Sequence, residues 1–440
     1  MFAARIVAAP RKPWPRSQLV IASTLFGALA LAPPAARAQA SHQVTPKAGV
    51  PGSVKVPFDR RDPSQGSFSL EYELGRPFVA TKPTVFVVAD GQQFYVRRGM
   101  VAPFQDELLG DSFNVVGIIG RGSNNEVAAK IRSGGQVDWL RAYAVLRADQ
   151  WIDDIEAVRT AVVGKDGAIS LYGRSGGGLL VDQYLARYPD RVRTVFTQAA
   201  VNRFVDARFQ IASDRFWDEI GADDPALHGL LLGAIQAHPA ERDRIMLLLQ
   251  RQNYFAGAEA LPSARAALIH ALAAWNEGVI RDLSARYQVD AILKLNDPAG
   301  AVRVFELFAP AVSPEPAPAA LERVDPDLAV GRMFGAPLFA LLAAREIEPP
   351  SMDLEALRRV HAGVYMLAGF YDHTADYASQ VELSKFFARH KLLLLNDDHD
   401  FIALSKTGLY PALVQAALRD GPGSRVVRRV EEQLAPLLHR

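Results

Sequence analysis

Residues 168–180 read Ala168-Ile169-Ser170-Leu171-Tyr172-Gly173-Arg174-Ser175-Gly176-Gly177-Gly178-Leu179-Leu180, and the chain runs on through Tyr184-Leu185 to Tyr188-Pro189. Ala168–Tyr172 has the pattern of a short buried strand. Leu179, Leu180, Tyr184 and Leu185 recur at helical spacing until Tyr188-Pro189 stops the helix. Between them Ser175 sits inside Gly-x-Ser-x-Gly. A serine hydroxyl attacks a carbonyl only when a tight turn holds it beside a base, and a backbone folding back that sharply needs small neighbours, here Gly173 and Gly177. The bare pattern arises by chance in about one chain in six of this length. Its place between a strand and a helix separates a nucleophile elbow from a glycine-rich turn of no catalytic consequence.

Working outward, Thr84–Ala89 and Phe113–Ile119 are continuous β-branched or aromatic runs, the pattern of strands covered on both faces, and Phe68–Leu74 alternates like an edge strand. Trp151, Ile152, Ile155, Val158, Ala161 and Val162 mark one face of an amphipathic helix, and Val192–Thr197 supplies a strand after the elbow helix. This alternation predicts one half of a doubly wound α/β sheet. From about Val201 to Met352 the pattern is helical, broken by a Pro-rich stretch from Pro310 to Pro326, with a short strand possible only at Val302–Leu307. Alternation resumes with Val364–Ala368, a helix near Tyr377–Ala388, the strand Leu392–Leu395 and a final helix around Val426–Leu438. One α/β domain with a large helical insertion accounts for this order, and no internal repeat is visible.

The N-terminus reads as a secretory signal peptide: Arg5, Arg11, Lys12 and Arg16 precede an apolar run from Leu19 to Leu31, then Pro33-Pro34 and Ala36-Arg37-Ala38. The run falls short of the roughly 20 residues that span a bilayer. Cleavage is expected after Ala38, or after Ala40. The organisation is then signal peptide 1–38, flexible lead 39–52, first core segment 53–200, helical cap 201–355 and second core segment 356–440. The 440-residue chain carries 49 Lys+Arg and 48 Asp+Glu; losing the five basic residues of 1–38 leaves 44 against 48, a formal charge of −4. That balance argues against a nucleic-acid partner. Cys is absent, so neither a disulfide nor a cysteine-linked lipid is available. These features point to a periplasmic or secreted protein with no membrane anchor after cleavage.

A nucleophilic serine needs a base, and the base an orienting acid, both on loops at the carboxyl ends of later strands. Two loops fit. Val364–Ala368 is followed by Gly369-Phe370-Tyr371-Asp372-His373, and Leu392–Leu395 by Asn396-Asp397-Asp398-His399-Asp400. Asp372 and His399 therefore complete the order Ser…Asp…His. Asp376 is the reserve acid and His373 the reserve base, otherwise a surface or substrate-contacting residue. Asp397, Asp398 and Asp400 read as solvated loop charges or turn formers, and His228, His238, His270 and His361 as structural. The oxyanion hole requires two backbone N–H groups: Gly176 for the first, and for the second Gln92, or else Gly91, in the loop Ala89-Asp90-Gly91-Gln92-Gln93. Arg174 pairs with a nearby acid or lines the pocket. There is no H-E-x-x-H, Walker loop or dinucleotide fingerprint, so no cofactor and no metal are expected.

These motifs resemble the α/β-hydrolases, and among them serine exopeptidases of the proline iminopeptidase and tripeptidyl aminopeptidase type (S33-like peptidases). The resemblance spans nearly the whole chain after the signal peptide. It is carried by Val56-Pro57-Phe58-Asp59…Pro63, Arg121-Gly122, Asp153–Arg159, Gly173–Gly177, Tyr188–Val192 and the Asp372 and His399 loops. It implies an α/β-hydrolase fold, a doubly wound and mostly parallel sheet with a helical cap inserted before the acid-bearing strand. It further implies aminopeptidase-like hydrolysis of short peptides or arylamides through an acyl-enzyme. The family's His-Gly-Gly-Pro-Gly oxyanion loop is replaced here by Ala-Asp-Gly-Gln-Gln, which leaves a carboxylesterase or lactonase as the alternative and a non-catalytic binding protein on the same fold as a second. In that family cap acids hold the substrate α-ammonium; Glu219, Asp223, Asp224 and Glu277 are available, and each reads as a surface helix charge.

Overall fold

The structure, a computed structural model, describes residues 49–88, 96–211, 215–257, 259–294, 297–312 and 325–439. The N-terminal 48 residues and Gln92 and Gly91 therefore lie outside the described residues. Eight strands form the sheet: β1 (Val50–Pro57), β2 (Ser67–Leu74), β3 (Thr84–Val88), β4 (Asn114–Ile119), β5 (Ile169–Arg174), β6 (Val192–Gln198), β7 (Gly363–Gly369) and β8 (His390–Leu395). They lie in the order β1-β2-β4-β3-β5-β6-β7-β8. β1–β2 and β2–β4 pair antiparallel and every other pair is parallel.

Burial follows from the covered faces. β3, β4, β5 and β7 are buried at every position, and their side chains alternate between two cores as the period of 2 requires. Val85, Val115, Tyr172, Phe196, Tyr365 and Leu367 enter one core, together with Trp217, Leu247 and Tyr254 of the insertion. Phe86, Val116, Leu171, Val195, Val364 and Met366 enter the other. Across β5, β6 and β7 the register puts Tyr172, Phe196 and Tyr365 side by side, with ring centroids 5.9 and 5.4 Å apart and planes within 3°.

The helices that position the site are α1 (Ala148–Val163), α2 (Gly176–Arg187), α3 (Arg242–Phe255), α4 (Pro298–Phe308), α5 (Pro326–Phe334) and α6 (Tyr377–Ser384). Among the described residues, the segment between β6 and β7 holds helices and no strand. Val302–Leu307 is therefore not a strand but the body of α4. The helix signals are in the sequence: Asp297 accepts the Ala299 N–H as N-cap, Pro298 stands in the first turn, and Ala301, Val302, Val304, Phe305, Leu307 and Phe308 follow a helical rather than an alternating spacing. Phe68–Leu74 is not the sheet edge either. Val50–Pro57 pairs outside it along its full length, starting within the stretch expected to be a flexible lead. The helix after β7 ends at Ser384 and the last one at Gln433, followed by a short 3-10 turn.

Arg121 and Asp154 anchor the antiparallel β1–β2 hairpin to the rest. Both side chains are fully buried; Arg121 Nε and Nη2 donate to the two Asp154 oxygens at 2.5 and 2.9 Å, and its remaining donors reach the carbonyls of Pro57, Phe58 and Val145. Breaking a buried pair leaves an uncompensated charge, although Arg60 also donates to Asp154 at 2.7 Å. Arg121→Met is expected to lower the unfolding free energy by about 3 kcal/mol in denaturant titration; a loss below about 1 kcal/mol, the scale of an exposed pair, would contradict this role.

Candidate active site

The turn between β5 and α2 places Ser175 at φ 53°, ψ −127°, a conformation that costs a non-glycine residue on the order of 1–3 kcal/mol. The fold holds it from several sides. Ser175 N–H donates to Gln198 O on β6 at 2.9 Å, and Ser175 O accepts from Gly178 and Val201 N–H at 2.9 and 3.1 Å. Close packing explains the flanking glycines: a Cβ on Gly173 would lie 2.7 Å from Val181 Cγ2, and one on Gly178 would lie 2.3 Å from Ala200 Cβ. Gly178, outside the five-residue pattern, is thus as constrained as Gly173. Gly176 opens α2, so its N–H has no acceptor within the helix.

The β7 and β8 loops converge on that hydroxyl. Gly369 makes this possible, since a Cβ there would meet the Asp397 and Asp398 carbonyl oxygens at 2.7 Å, and Tyr371 N–H donates to Asp397 O at 3.0 Å. His399 Nε2 lies 3.0 Å from Ser175 Oγ, and Nδ1 lies 3.0 and 2.9 Å from the Asp372 oxygens. An ionised carboxylate only accepts, so Nδ1–H donates to Asp372 and Nε2 accepts from the serine O–H. Asp372 is fixed in turn by the Thr374 and Ala375 N–H groups, both at 2.8 Å. All three side chains are buried. Burial disfavours the imidazolium, yet Asp372, and more weakly Asp400, overcome it and hold His399 above its ordinary value.

The structure brings together Ser175, Asp372 and His399, and separates them from the competing residues. Asp376 N-caps α6 and pairs with Arg215. His373 is a buried residue rather than a surface one, with Nε2 3.0 Å from Glu219. Asp397 and Asp398 are buried turn formers rather than solvated charges: Asp397 accepts from the Asp398, Ala403 and Leu404 N–H groups, and Asp398 from Asp400 and Ile402. Desolvation, with the Asp397 and Asp400 charges adding to it, pushes Asp398 up to about 7. Asp400 forms a buried pair with Arg174 at 2.5 Å, bracing the residue before Ser175 against the residue after His399.

Residues of the insertion reach the same place, unannounced by any motif. Tyr254 on α3 stacks on the His399 ring at 5.1 Å and 19°, and its hydroxyl donates to Asp327 on α5 at 2.8 Å. Arg303 on α4 donates to Gly176 O at 2.8 Å. The one hint in the sequence is the run Gln250-Arg251-Gln252-Asn253-Tyr254: polar residues continuing directly from apolar Ile245–Leu249, all of them buried.

A strained serine on a strand–turn–helix, facing Asp- and His-bearing loops from later strands of a doubly wound sheet, decides the architecture. The fold is that of the α/β-hydrolases. No protein-family model and no curated protein matches this α/β-hydrolase-fold chain. Solved structures similar to it include a proline iminopeptidase from Mycobacterium smegmatis (16% identity, 84% of this chain and 98% of that one, TM-score 0.41). Others are a bromoperoxidase from Bacillus anthracis (14%, 82% and 98%, 0.40) and an N-acyl homoserine lactone degrading enzyme (16%, 79% and 96%, 0.36). Fold does not carry function, so the chemistry has to come from the site itself.

Because His399 binds its proton more tightly folded than unfolded, its contribution to stability is full below the unfolded value of about 6.5 and is lost as pH rises through the folded one. Asp372→Asn removes the largest stabilising influence on the imidazolium while burial persists. An NMR titration of the His399 ring is expected to show its pKa falling on this substitution; an unchanged or higher value would contradict the assigned hydrogen bond.

Proposed function

We propose that this protein is an exported serine hydrolase that works through an acyl-enzyme. His399 Nε2 takes the Ser175 proton as Oγ attacks a substrate carbonyl, and Asp372 holds the imidazolium in the required orientation. The developing oxyanion faces the Gly176 N–H, with Gln92 or Gly91 supplying the second donor. His399 then protonates the leaving group, and the same base activates water to release the acyl group from Ser175. The observation that carries this reading is the relay Asp372–His399–Ser175 at 2.9 and 3.0 Å on a strained elbow. Export rests on the signal-peptide pattern of residues 1–38.

For the substrate, the acids of the insertion matter. An α-ammonium group needs a free carboxylate, and Glu219 is already engaged by His373, Arg215 and Arg265. Despite desolvation, its contacts with His373 and Arg265 hold it at about 2. Asp223 lies 3.6 Å from Arg265 and Asp224 caps the Ala226 N–H. These pairings favour an ester or lactone over an N-terminal peptide bond; aminopeptidase-like hydrolysis of peptides or arylamides is the second reading, supported by the sequence resemblance.

Comparing p-nitrophenyl esters with aminoacyl p-nitroanilides tests both. Ester turnover is expected to exceed anilide turnover, and Ser175→Ala to lower kcat by at least about 10⁴-fold. Since neutral imidazole is the base, kcat/KM should rise with pH through a midpoint above His399's ordinary value. Turnover surviving Ser175→Ala would sink the hydrolase reading, and a preference for free-amine anilides that N-acetylation abolishes would restore the aminopeptidase one.

A further inference from the structure

Four arginines are among the largest fully buried side chains: Arg121, Arg159, Arg203 and Arg251. Arg121 is matched by Asp154, Arg159 by Glu156 and backbone carbonyls, and Arg203 by Asp206 and Asp327. Arg251 on α3 differs. It is 1% exposed, and Nε, Nη1 and Nη2 all lack a hydrogen-bond partner among the described residues. A guanidinium cannot shed its proton to escape such a place, and an unpaired buried charge is among the most costly things a fold can contain.

Its surroundings place it on the side of the site where Tyr254 covers His399. Arg251 precedes Tyr254 by one helical turn, and Tyr254 stacks on His399. The guanidinium carbon stands 6.0 Å from the Phe255 ring centroid, a further contact on the same helix face. Desolvation lowers its proton affinity, against weaker opposing influences from Tyr254, Asp400 and Asp327. Both of these carboxylates are committed elsewhere: Asp400 to Arg174, and Asp327 to Arg203, Gln250 and Tyr254. A positive charge therefore sits within electrostatic reach of Asp400, the residue that follows His399, and no carboxylate among the described residues hydrogen-bonds to it.

We propose that Arg251 is the anchor for a carboxylate on the substrate, so that the enzyme hydrolyses esters or lactones whose acyl or leaving group carries an anionic carboxylate. The planar fork of donors suits a bidentate carboxylate, and in a dry site such a bond is charge-assisted. The inference rests on the serine-hydrolase reading for its chemistry, but not for its binding step. It also accounts for the location of the charge: a guanidinium left unpaired until substrate arrives discriminates against neutral analogues, which leave it desolvated and unmatched.

The test uses two pairs of esters, each carboxylate against its neutral carboxamide isostere. On the acyl side these are the p-nitrophenyl monoester of glutarate and p-nitrophenyl 4-carbamoylbutyrate; on the leaving-group side, 3-carboxyphenyl and 3-carbamoylphenyl butyrate. Wild-type enzyme is expected to prefer the carboxylate in at least one pair by about 10- to 100-fold in kcat/KM, with Arg251→Met abolishing the preference and Arg251→Lys retaining part of it. A binding readout needs neither turnover nor a variant: glutarate should raise the Tm of the wild-type protein where glutaramide does not. Absence of discrimination in both ester pairs, discrimination that survives in Arg251→Met, or equal Tm shifts from glutarate and glutaramide would overturn the proposal. Loss of the hydrolase reading would look different, as differential stabilisation by glutarate without any turnover.

Discussion

Ser175 occupies a backbone conformation that a side-chain-bearing residue adopts only under constraint, and most of what surrounds it supplies that constraint. Its N–H is held by Gln198 on the neighbouring strand and its carbonyl by two N–H groups, while Gly173 and Gly178 let strand, helix and the Ala200 backbone close around it. The order of strands then matters, because β3, β4 lie to one side of the β3/β5 junction and β5, β6 to the other. The crevice at such a switch point lies outside the carboxyl ends of the strands. The elbow therefore opens at that crevice, where the loops after β7 and β8 reach it.

His399 and Asp372 meet it there through a second close approach, that of Gly369 to the β8 loop. Asp397, through both oxygens, and Asp398, through Oδ1, accept from local backbone N–H groups and so shape the turn that presents His399 rather than compete for it. The insertion completes the enclosure with Tyr254 over the imidazole and Arg303 on the Gly176 carbonyl. These contacts exclude water from the relay, and in the same dry interior an unmatched group such as Arg251 becomes conspicuous.

The inner strands of the sheet were legible in the sequence because strands covered on both faces must be apolar throughout, as Val85–Val88 and Val115–Ile119 are, whereas the half-exposed outer strand Val50–Pro57 was not. So was the approach of Ser175, Asp372 and His399, since each follows a recognisable strand. Local period misled at Val302–Leu307, where an Asp-Pro helix start outweighs β-branched content. Partnerships formed by distant segments were not legible. His373 with Glu219, Asp400 with Arg174 and Tyr254 with His399 join residues 154, 226 and 145 positions apart, and no spacing rule reaches that far. Likewise Arg121 and Asp154, two residues within the stretches carrying the family resemblance, prove to hold the hairpin against α1.

The proposal's central claim is that Ser175, alone among the hydroxyls of the described residues, is made nucleophilic by the buried relay behind it. Treating the protein with a small neutral fluorophosphonate and mapping the adduct by tandem mass spectrometry addresses that directly. A single phosphonyl group on the Ser175 peptide, formed faster as pH rises through the His399 titration, is the predicted result. No adduct at any pH, or one confined to another residue, would contradict it.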